Sequence, residues 1–497
     1  MSEQEPVVVI IGAGPAGLTA AYMLGKAGIQ VMILEADPKL VGGISRTVNY
    51  KDCLFDIGGH RFFSKSAEVE SLWDELLPDG MLERPRSSRI YYRGKFFAYP
   101  IVALDALMKL GIWESVSCVM SYLKARIAPV AKPASFQDWV SNQFGARLFE
   151  IFFKTYTEKV WGMSCREISA DWAAQRINGL SLFSAIKNAL WRPRQKSGSG
   201  VIKTLINTFR YPRLGPGMMW EACAAKVIAQ GGRIHMGTRF VSGAYNAATR
   251  RWTIIHRDAG GDVHELKSQH LISSAPIAEL IPSLSPALPA KAQAAAKALR
   301  YRDFITVVLM YRHEDAFPDN WLYIHDNSVK VGRIQNFKSW SPDMVPDKSI
   351  ASYGLEYFCF EGDGLWTSSE EDLLALAKKE MEQLGLAKAT EWVDGCIVRQ
   401  AKAYPVYDAD YATHVSEIRQ AVTEHLPTLH LVGRNGMHKY NNQDHSMMTA
   451  MLCARNIIQG ANLYDLWQVN QDAEYHEGTA PENEGGRLVP ARLPEVS

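Results

Sequence analysis

The sequence predicts an α/β fold with a Rossmann-like dinucleotide-binding domain near its N-terminal end. Three observations lead to this prediction: a continuous apolar strand, a glycine pattern directly after it, and an acidic residue at the end of a second strand. The chain has 497 residues, which is enough for two or three domains with a sizeable core.

The first strand is predicted at Val7 to Ile11, an apolar run typical of a parallel strand that is buried on both faces. Gly12, Gly14 and Gly17 follow in GxGxxG spacing, and the next residues have helical composition. This pattern permits a tight turn, a close approach to a pyrophosphate and close packing of helix on strand. The helix N-terminus offers free N–H groups to the phosphates. The alternative is a glycine-rich turn without a ligand.

A second strand, over 31–34, is predicted to end at Glu35, 23 residues after Gly12. A carboxylate at this spacing accepts hydrogen bonds from ribose hydroxyls. The chain continues with the glycine pair Gly42 and Gly43 and then Arg46. Glycines there would allow the backbone to lie against a pyrophosphate and a ring system. We therefore predict a dinucleotide site built from these residues.

Composition excludes several classes of function. The chain has 54 Lys and Arg against 53 Asp and Glu, with no long basic run, so nucleic acid is not an expected partner. Seven scattered cysteines form no CxxC pair, which argues against a disulfide framework and against a metal site. The acidic start "MSEQEP" is unlike a secretory signal, and we expect a cytoplasmic protein.

The most apolar window covers residues 101–129, "IVALDALMKLGIWESVSCVMSYLKARIAP". Asp105, Lys109 and Glu114 interrupt it, so it lacks the roughly 18 unbroken apolar residues of a membrane span. The first interpretation is a pair of buried or amphipathic helices. The alternative is a surface helix that rests on a bilayer, which would make the protein peripherally membrane-associated.

Six motifs then occur in a particular order: "FDIGGHRFFSKS", "RIYYRGKFFAYPI", "YTEKVWG", "LRYRDF", "AYPVYDADY" and "GRNGMHKYNNQDH". In this order, and from about residue 7 to 460, the chain resembles the UDP-galactopyranose mutases. The wider group includes protoporphyrinogen-oxidase-like proteins and proteins of polysaccharide biosynthesis. The resemblance implies that the dinucleotide is FAD. It also implies a glutathione-reductase-type FAD-binding fold of the amine-oxidase subgroup, with helical and mixed-sheet substrate domains.

The resemblance further implies an isomerase in which N5 of reduced FAD is the nucleophile. Its substrate would be a nucleotide- or lipid-linked sugar that changes between pyranose and furanose forms, and NADPH or NADH would reduce the flavin. The alternative is an FAD-dependent oxidoreductase of the amine-oxidase or protoporphyrinogen-oxidase type, which transfers a hydride from substrate to flavin. A third interpretation keeps FAD only as a structural element.

Catalytic roles follow from matched motif positions. His60 in "GGHRFF" would lie beside the flavin, and Arg302 in "YRDF" would lie near the flavin and stabilise developing negative charge. Trp161 in "YTEKVWG" would line the sugar pocket, and Tyr404 would hold a diphosphate. The alternatives are structural: a histidine in a glycine turn, a core tryptophan and a buried tyrosine.

The substrate-binding set implied by the resemblance is Tyr156, Trp161, Arg176 and Tyr404, with Tyr156 and Lys159 expected to support the pocket wall. The implied cofactor-binding set is Gly12, Gly14, Gly17, Glu35, Gly42, Gly43, Arg46, Gly59, His60, Arg434, Tyr440, Asn441, Asn442, Asp444 and Ser446. Asp444 is expected to cap a helix that runs to Ile458, whose positive N-terminus would favour reduced flavin.

One departure from the mutases concerns an arginine that follows the "YTEKVWG" motif in those proteins and binds the substrate diphosphate. Its position holds Leu180, so a different anion, or no diphosphate, is the expectation. Two basic clusters are candidates for the missing charge, although charge clusters are usually solvated surface. They are Arg84, Arg86, Arg89, Arg93 and Lys95, and Arg192, Arg194 and Lys196.

The expected organisation is discontinuous. Residues 1–95, 213–280 and 405–465 would form the FAD-binding domain. Residues 100–212 would form a mostly helical substrate or cap domain, and 281–404 a mixed β-sheet substrate domain. Residues 468–497 are polar and would form a mobile tail.

Overall fold

The protein is represented by a computed structural model that describes residues 5–170, 208–470, 490 and 492. At its centre is a parallel sheet of five strands, here called the nucleotide sheet. Every residue of its first two strands in the chain is buried, which explains their unbroken apolar sequences. In spatial order the strands are Leu429–Leu431, His270–Ser273, Val8–Ile11, Val31–Leu34 and Arg233–His235.

Helices cover one face of the nucleotide sheet and form an apolar core with it. The helix after the glycine turn packs closely against the long helix of the C-terminal motif. Trp73 and Trp220 are fully buried between these helices, so large side chains fill the layer. The helices are Pro15–Lys26, Ala67–Leu76, Gly217–Ala229 and Gln443–Gln459.

The other face of the nucleotide sheet is covered by a second core. A small sheet there has three antiparallel strands and a fourth short strand that pairs in parallel. Its strands are Arg239–Asn246, Arg251–Arg257, Val263–Ser268 and Leu284–Ser285. The helices of this layer are Ile277–Leu280, Ala290–Ala298 and Tyr411–His425.

A mixed sheet of seven strands forms the second large unit. All its strand pairs are antiparallel except one, between Trp321–Ile324 and Ser88–Tyr92. Residues 88–98 therefore belong to this sheet, although the first eight of them fall within the segment 1–95 that was assigned to the nucleotide domain. In spatial order the strands are Trp392–Pro405, Tyr301–Tyr311, Ala351–Cys359, Arg333–Asn336, Trp321–Ile324, Ser88–Tyr92 and Lys95–Ala98.

Short helices lie between residues 100 and 170 and pack on the edge of the seven-stranded sheet. A π-helical turn, Glu150–Lys154, leads directly into the helix that carries "YTEKVWG". No helix in the described part of the chain combines the length and the hydropathy needed to cross a membrane. The helices are Ala103–Leu110, Ile112–Ile127, Phe136–Phe144, Ala146–Phe149 and Thr155–Trp161.

The remaining elements connect these units. Two ribbons pair Thr47–Tyr50 with Cys53–Asp56, and Met81–Pro85 with Thr208–Pro212. The other helices are Phe337–Trp340, Glu370–Gln383 and Gly433–Gly436, and 3₁₀ turns lie at Gly43–Ser45, Ile281–Ser283, Pro342–Met344, Ala389–Glu391 and Leu466–Gln468. Described structure continues to Asn470, and Val469 is buried. The rest of the expected tail, apart from residues 490 and 492, lies outside the described residues.

Candidate functional site

Two cavities meet between the nucleotide sheet and the seven-stranded sheet. The nucleotide cavity, of about 770 Å³, follows the glycine turn and the carboxyl ends of the parallel strands. The aromatic cavity, of about 450 Å³, lies between the seven-stranded sheet and the helix that carries "YTEKVWG". Both are lined by Ile44, His60, Arg434 and Gln443, which mark their junction.

The glycine turn has the geometry that its spacing predicts. Gly12 has φ +96°, a left-handed conformation, and a Cβ there would lie 2.4 Å from Ser274 Oγ. A Cβ on Gly17 would lie 1.9 Å from the carbonyl oxygen of Gly12, so helix and strand approach each other too closely for any side chain. A Cβ on Gly14 would have the Cα of Gly43 as its nearest neighbour, 3.8 Å away. Both glycines line the nucleotide cavity.

Glu35 also lines the nucleotide cavity, at the end of the strand Val31–Leu34. Its Oε2 accepts a hydrogen bond of 2.6 Å from the N–H of Ala13, and its Oε1 accepts one of 2.8 Å from the N–H of Asp37. Burial raises the pKa of Glu35, and these two N–H groups act in the opposite direction. The carboxylate is therefore fixed against the glycine turn.

Arg46 lines the nucleotide cavity and has a defined orientation. Its Nη1 donates to the carbonyl oxygen of Gly43 at 2.8 Å and to Gln400 Oε1 at 2.9 Å. The contact with Gly43 fixes the loop that follows Gly42, whose φ is +100°. Burial lowers the pKa of Arg46.

The helix Gln443–Gln459 begins at the junction of the two cavities. Its N-cap residue is Asn442, whose N–H donates to His445 Nδ1 at 3.3 Å. The expectation that Asp444 caps the helix is wrong, because Asp444 is the second residue of the first turn. Its Oδ2 accepts from Ser64 Oγ at 3.3 Å. Asn442 and Asp444 line the aromatic cavity, and Asn441 and Ser446 line the nucleotide cavity.

His60 and Gly59 are held between the two sheets. A Cβ on Gly59 would lie 2.4 Å from the ring of Trp321, which leaves room only for glycine. His60 Nδ1 is buried and has no hydrogen-bond partner in the described structure. Burial, and then the charge of Arg434, lower the pKa of His60 to about 3. The imidazole is therefore neutral near pH 7.

The helix Thr155–Trp161 is anchored to the seven-stranded sheet. Lys159 Nζ donates to the carbonyl oxygens of Ile324, Asp326 and Val331, at 3.2, 2.6 and 3.0 Å. Tyr156 is stacked on His325 with ring centroids 5.0 Å apart, and Tyr156 and His325 both line the aromatic cavity. Lys159 thus holds the helix in place, while Tyr156 contributes to the cavity wall.

Trp161 and Tyr404 meet at the aromatic cavity, as the motif positions imply. Trp161 is 5% exposed and its ring centroid lies 6.4 Å from that of Tyr440. Tyr404 is stacked on Tyr440 at 5.5 Å with an interplanar angle of 11°. Arg434 lies over both tyrosine rings and donates to the carbonyl oxygens of Ala403 and Asn441.

Arg302 is placed differently from its expected position, because it lines neither cavity in the described structure. Its Nε donates to the carbonyl oxygen of Val160, and its Nη2 donates to those of Lys159 and Phe358, at 2.9 to 3.1 Å. A Cβ on Gly162 would lie 2.5 Å from its guanidinium. Arg302 therefore satisfies the C-terminal carbonyls of the "YTEKVWG" helix. Arg176 lies outside the described residues.

Arg333 is a cavity residue that the motifs did not indicate. Its Nε donates to Glu356 Oε2 at 2.8 Å, and its Nη2 donates to the same carboxylate and to Tyr404 Oη, the latter at 3.3 Å. Burial alone would lower the pKa of Arg333, but the Glu356 carboxylate helps raise it well above its usual value. A sequence signal did exist, since Glu356 is the only acid in the apolar strand "ASYGLEYFC".

The basic cluster at residues 84–95 resolves into separate roles. Arg86 lines the aromatic cavity and lies over Tyr99, whereas Arg89 forms an ion pair with Asp319 at 2.6 Å. Arg61, within the quoted "GGHRFF" motif, also lines this cavity and stacks on Trp321 at 4.0 Å. The second cluster, at residues 192–196, lies outside the described residues.

The residues present fit a dinucleotide with a flat ring system. Gly14 and Gly43 leave backbone open to a pyrophosphate, and Glu35 stands at the ribose end. At the junction, His60 and the first helical residue, Gln443, line both cavities, and the buried Nδ1 of His60 has no hydrogen-bond partner in the described structure. A flavin at the junction would therefore lie against this ring and the helix N-terminus.

Comparisons with known proteins agree with this geometry. The family of flavin-containing amine oxidoreductases matches residues 15–458. The chain is 31% identical over 134 residues to a probable flavin-containing monoamine oxidase A of Dictyostelium discoideum, covering 24% of this chain and 27% of that protein. It is 25% identical over 176 residues to a probable UDP-galactopyranose mutase of Klebsiella pneumoniae, covering 33% and 43%. Less than half of either relative is therefore aligned.

The fold is also that of a solved structure, reduced UDP-galactopyranose mutase, with a TM-score of 0.79 and 22% identity over 94% of this chain and 98% of that chain. The predicted Rossmann-like FAD-binding fold of the amine-oxidase subgroup is confirmed. The family match implies FAD as the cofactor. The chain belongs to the flavin-containing amine oxidoreductase family.

Proposed function

We propose that this FAD-dependent enzyme is a mutase-like isomerase whose substrate is a nucleotide- or lipid-linked sugar. The observation that carries the proposal is the charge of the aromatic cavity. Among the described residues that line it, four are arginines, and one, Asp444, is a carboxylate. Such a cavity favours an anion, for example a sugar diphosphate, and repels a protonated amine. The arginines are Arg61, Arg86, Arg333 and Arg434.

The walls of the cavity suit a sugar. Trp161, Tyr404 and Tyr440 present aromatic surfaces to it, and each ring is at least partly buried. Aromatic faces pack against the C–H faces of sugars and exclude water from the reacting carbon. Tyr404 Oη accepts a hydrogen bond from Arg333, so its hydrogen is available to a substrate oxygen.

Bound and reduced FAD supplies a nucleophilic nitrogen for attack on an anomeric carbon. The chain contributes the surroundings. The N-terminus of the helix Gln443–Gln459 favours negative charge at the junction of the cavities. His60 is neutral there, so its ring can accept or donate a hydrogen bond according to its tautomer. NADPH or NADH is the proposed reductant.

The relatives support the proposal in part. One similar protein bears the name UDP-galactopyranose mutase, and the fold of another with that name covers nearly the whole chain. Exchange of the ring size of a sugar needs no net redox change, so an anion-binding cavity beside reduced flavin is compatible with this chemistry.

The test uses anaerobic, dithionite-reduced protein mixed with UDP-galactofuranose and other nucleotide sugars. We expect ring isomers of at least one of them by chromatography, and a flavin–sugar adduct after cyanoborohydride trapping by mass spectrometry. Arg86→Ala should raise KM at least about tenfold because a cation at the cavity is lost. Arg93→Ala is the matched control, since Arg93 is exposed and lies outside the cavity.

A second candidate is hydride transfer from substrate to oxidised flavin. The similarity to a monoamine oxidase and the match to its family favour it. Oxidised protein would then lose its flavin absorbance under anaerobic conditions when amines or other reduced substrates are added. Bleaching of this kind, together with no isomerisation of any sugar, would replace the first candidate by the second.

A further inference from the structure

The helical region exposes a continuous set of large apolar side chains, here called the apolar face. The helix Ile112–Ile127 carries most of them, at spacings of three and four residues. Trp113 is 87% exposed, Ile127 85% and Ile112 76%. Monomeric proteins seldom leave such a patch in water. The members are Val102, Met108, Ile112, Trp113, Val116, Val119, Met120, Leu123 and Ile127.

The exposure follows from how this helix packs. Its inner side holds Cys118 and Tyr122, both buried in a core with Phe97 and Phe152. An ordinary surface helix would have a polar outer side, but here the outer side is apolar too. Gly111, with φ +91°, joins the helix to the preceding one, which carries the exposed Met108.

The charged residues on and just after the helix Ile112–Ile127 that form no ion pair among the described residues are positive. Lys124, Arg126 and Lys132 are exposed, and none of them forms an ion pair among the described residues. Of the acidic residues, Asp105 pairs with Lys109 at 2.6 Å, and Glu114 accepts from Arg147. The surface that complements this pattern is both apolar and anionic. A second copy of the chain would bring the same cations together.

We propose that the apolar face docks on a bilayer that contains anionic phospholipid. A helix of 16 residues with an apolar side, basic neighbours and an exposed tryptophan has the properties of a helix that lies in the membrane interface. Apolar side chains enter the acyl boundary, while Lys124, Arg126 and Lys132 meet lipid phosphates. The protein then rests on the membrane without spanning it.

The aromatic cavity and the apolar face include residues that are close together in the chain. Tyr99 is 40% exposed, the most exposed of the described residues that line the cavity, and Val102 of the apolar face lies three residues further on. Tyr99 contacts Tyr323 at 4.6 Å, and Tyr323 contacts Tyr156 at 5.4 Å. Aromatic side chains thus lead from the docking surface to the pocket wall. If the proposed function holds, on which this step rests, the docked enzyme favours a lipid-linked sugar over a soluble one.

The experiment is co-sedimentation of the full-length, FAD-loaded protein with vesicles. Vesicles of phosphatidylcholine with phosphatidylglycerol are compared with vesicles of phosphatidylcholine alone. We expect binding to the anionic vesicles that weakens with salt. The triple variant Trp113→Ser, Met120→Ser, Leu123→Ser should lose at least about tenfold in binding, as should Lys124→Glu with Arg126→Glu.

A matched control removes exposed apolar side chains elsewhere. Ile228→Ser with Val263→Ser changes two residues that are each 58% exposed and lie outside the apolar face, and should bind vesicles like the wild type. Flavin absorbance checks the fold of every variant. Failure of the wild type to bind anionic vesicles would overturn the proposal. This conclusion would hold for a monomer, and equally for a dimer that dissociates in the triple variant. Vesicle binding needs no turnover, so its result is independent of the proposed function.

Discussion

Arg333 and Glu356 lie directly opposite each other on two antiparallel strands of the seven-stranded sheet and form a buried ion pair beside the aromatic cavity. Glu356 has no exposed side-chain surface and also accepts from Gln335 Nε2 at 2.9 Å. Nη2 of Arg333 donates both to this carboxylate and to Tyr404 Oη, the latter at 3.3 Å. The pair therefore fixes one cavity cation and one cavity hydroxyl at the same time.

Replacing Arg333 by Met should lower the free energy of unfolding by about 3–5 kcal/mol, because Glu356 is left as an uncompensated buried charge. The double variant Arg333→Met, Glu356→Leu should recover much of this loss, since no buried charge remains. Urea unfolding measures both. Equal free energies of unfolding for the wild type and Arg333→Met would show that the buried charge of Glu356 does not depend on Arg333 for compensation.

The same double variant separates stability from binding. It restores the core but not the cavity cation, so UDP should bind at least about tenfold more weakly than to the wild type. Titration calorimetry with UDP provides the measurement. Wild-type affinity in the double variant would remove Arg333 from the proposed anion site.

Two glycines of the GxGxxG turn should respond differently to substitution by alanine. Gly17→Ala places a Cβ 1.9 Å from the carbonyl oxygen of Gly12, so we expect loss of stability by roughly 1–3 kcal/mol as well as loss of FAD. Gly14→Ala meets only the Cα of Gly43, at 3.8 Å, so the fold should remain while FAD binds more weakly. Flavin absorbance after gel filtration and urea unfolding distinguish the two. Full FAD content in Gly14→Ala would contradict the assignment of the cavity.

His60 should make the protein less stable as the pH falls. Its pKa is lowered to about 3 in the folded chain against an ordinary value of 6.5, so the unfolded chain binds the additional proton between these values. The wild type should therefore lose free energy of unfolding relative to His60→Gln as the pH falls from 6.5 towards 4. The difference between the two unfolding curves, measured at several pH values without FAD, tests this. A constant difference would mean that His60 is not buried as a neutral ring.

Lys159 should make the protein more stable as the pH rises, in the alkaline range. Burial lowers its pKa to about 8 against 10.5 in the unfolded chain, so the unfolded chain again binds more protons, now between pH 8 and 10.5. The wild type should gain stability relative to Lys159→Met over this range. At pH 7 the variant should still be less stable, by roughly 1–3 kcal/mol, because three carbonyl groups lose their donor. A flat pH dependence of the difference would contradict a buried amine.

Local patterns were sufficient for the nucleotide half of the site. The contact of Gly17 with Gly12 and that of Glu35 with Ala13 depend on two strands, a turn and a helix that follow one another in the chain, so their spacing alone predicts their geometry. The N-cap was predicted less well, because Asn442 and Asp444 are both good capping residues. Only the backbone conformation, extended at Asn442, selects between them.

The position of Arg302 shows where motif matching stops. The motif placed this arginine near the cofactor, but in the fold its guanidinium meets the last carbonyls of the "YTEKVWG" helix, more than 100 residues earlier in the chain. Those carbonyls need donors at any helix end, and a sequence does not state which distant side chain provides them. Arg333 does line the aromatic cavity, but it is in a segment for which no motif was recognised.

The sequence by itself determined the fold class, the glycine turn and the helix that carries "YTEKVWG", because each is encoded by residues that are close together along the chain. The tertiary structure decided which charges face the aromatic cavity, since Arg61, Arg86 and Arg333 come together only through the register of the seven-stranded sheet and the loops beside it. It also decided which side of the helix Ile112–Ile127 is buried. Periodicity defines two sides of a helix, but the side that faces water depends on what packs against the other.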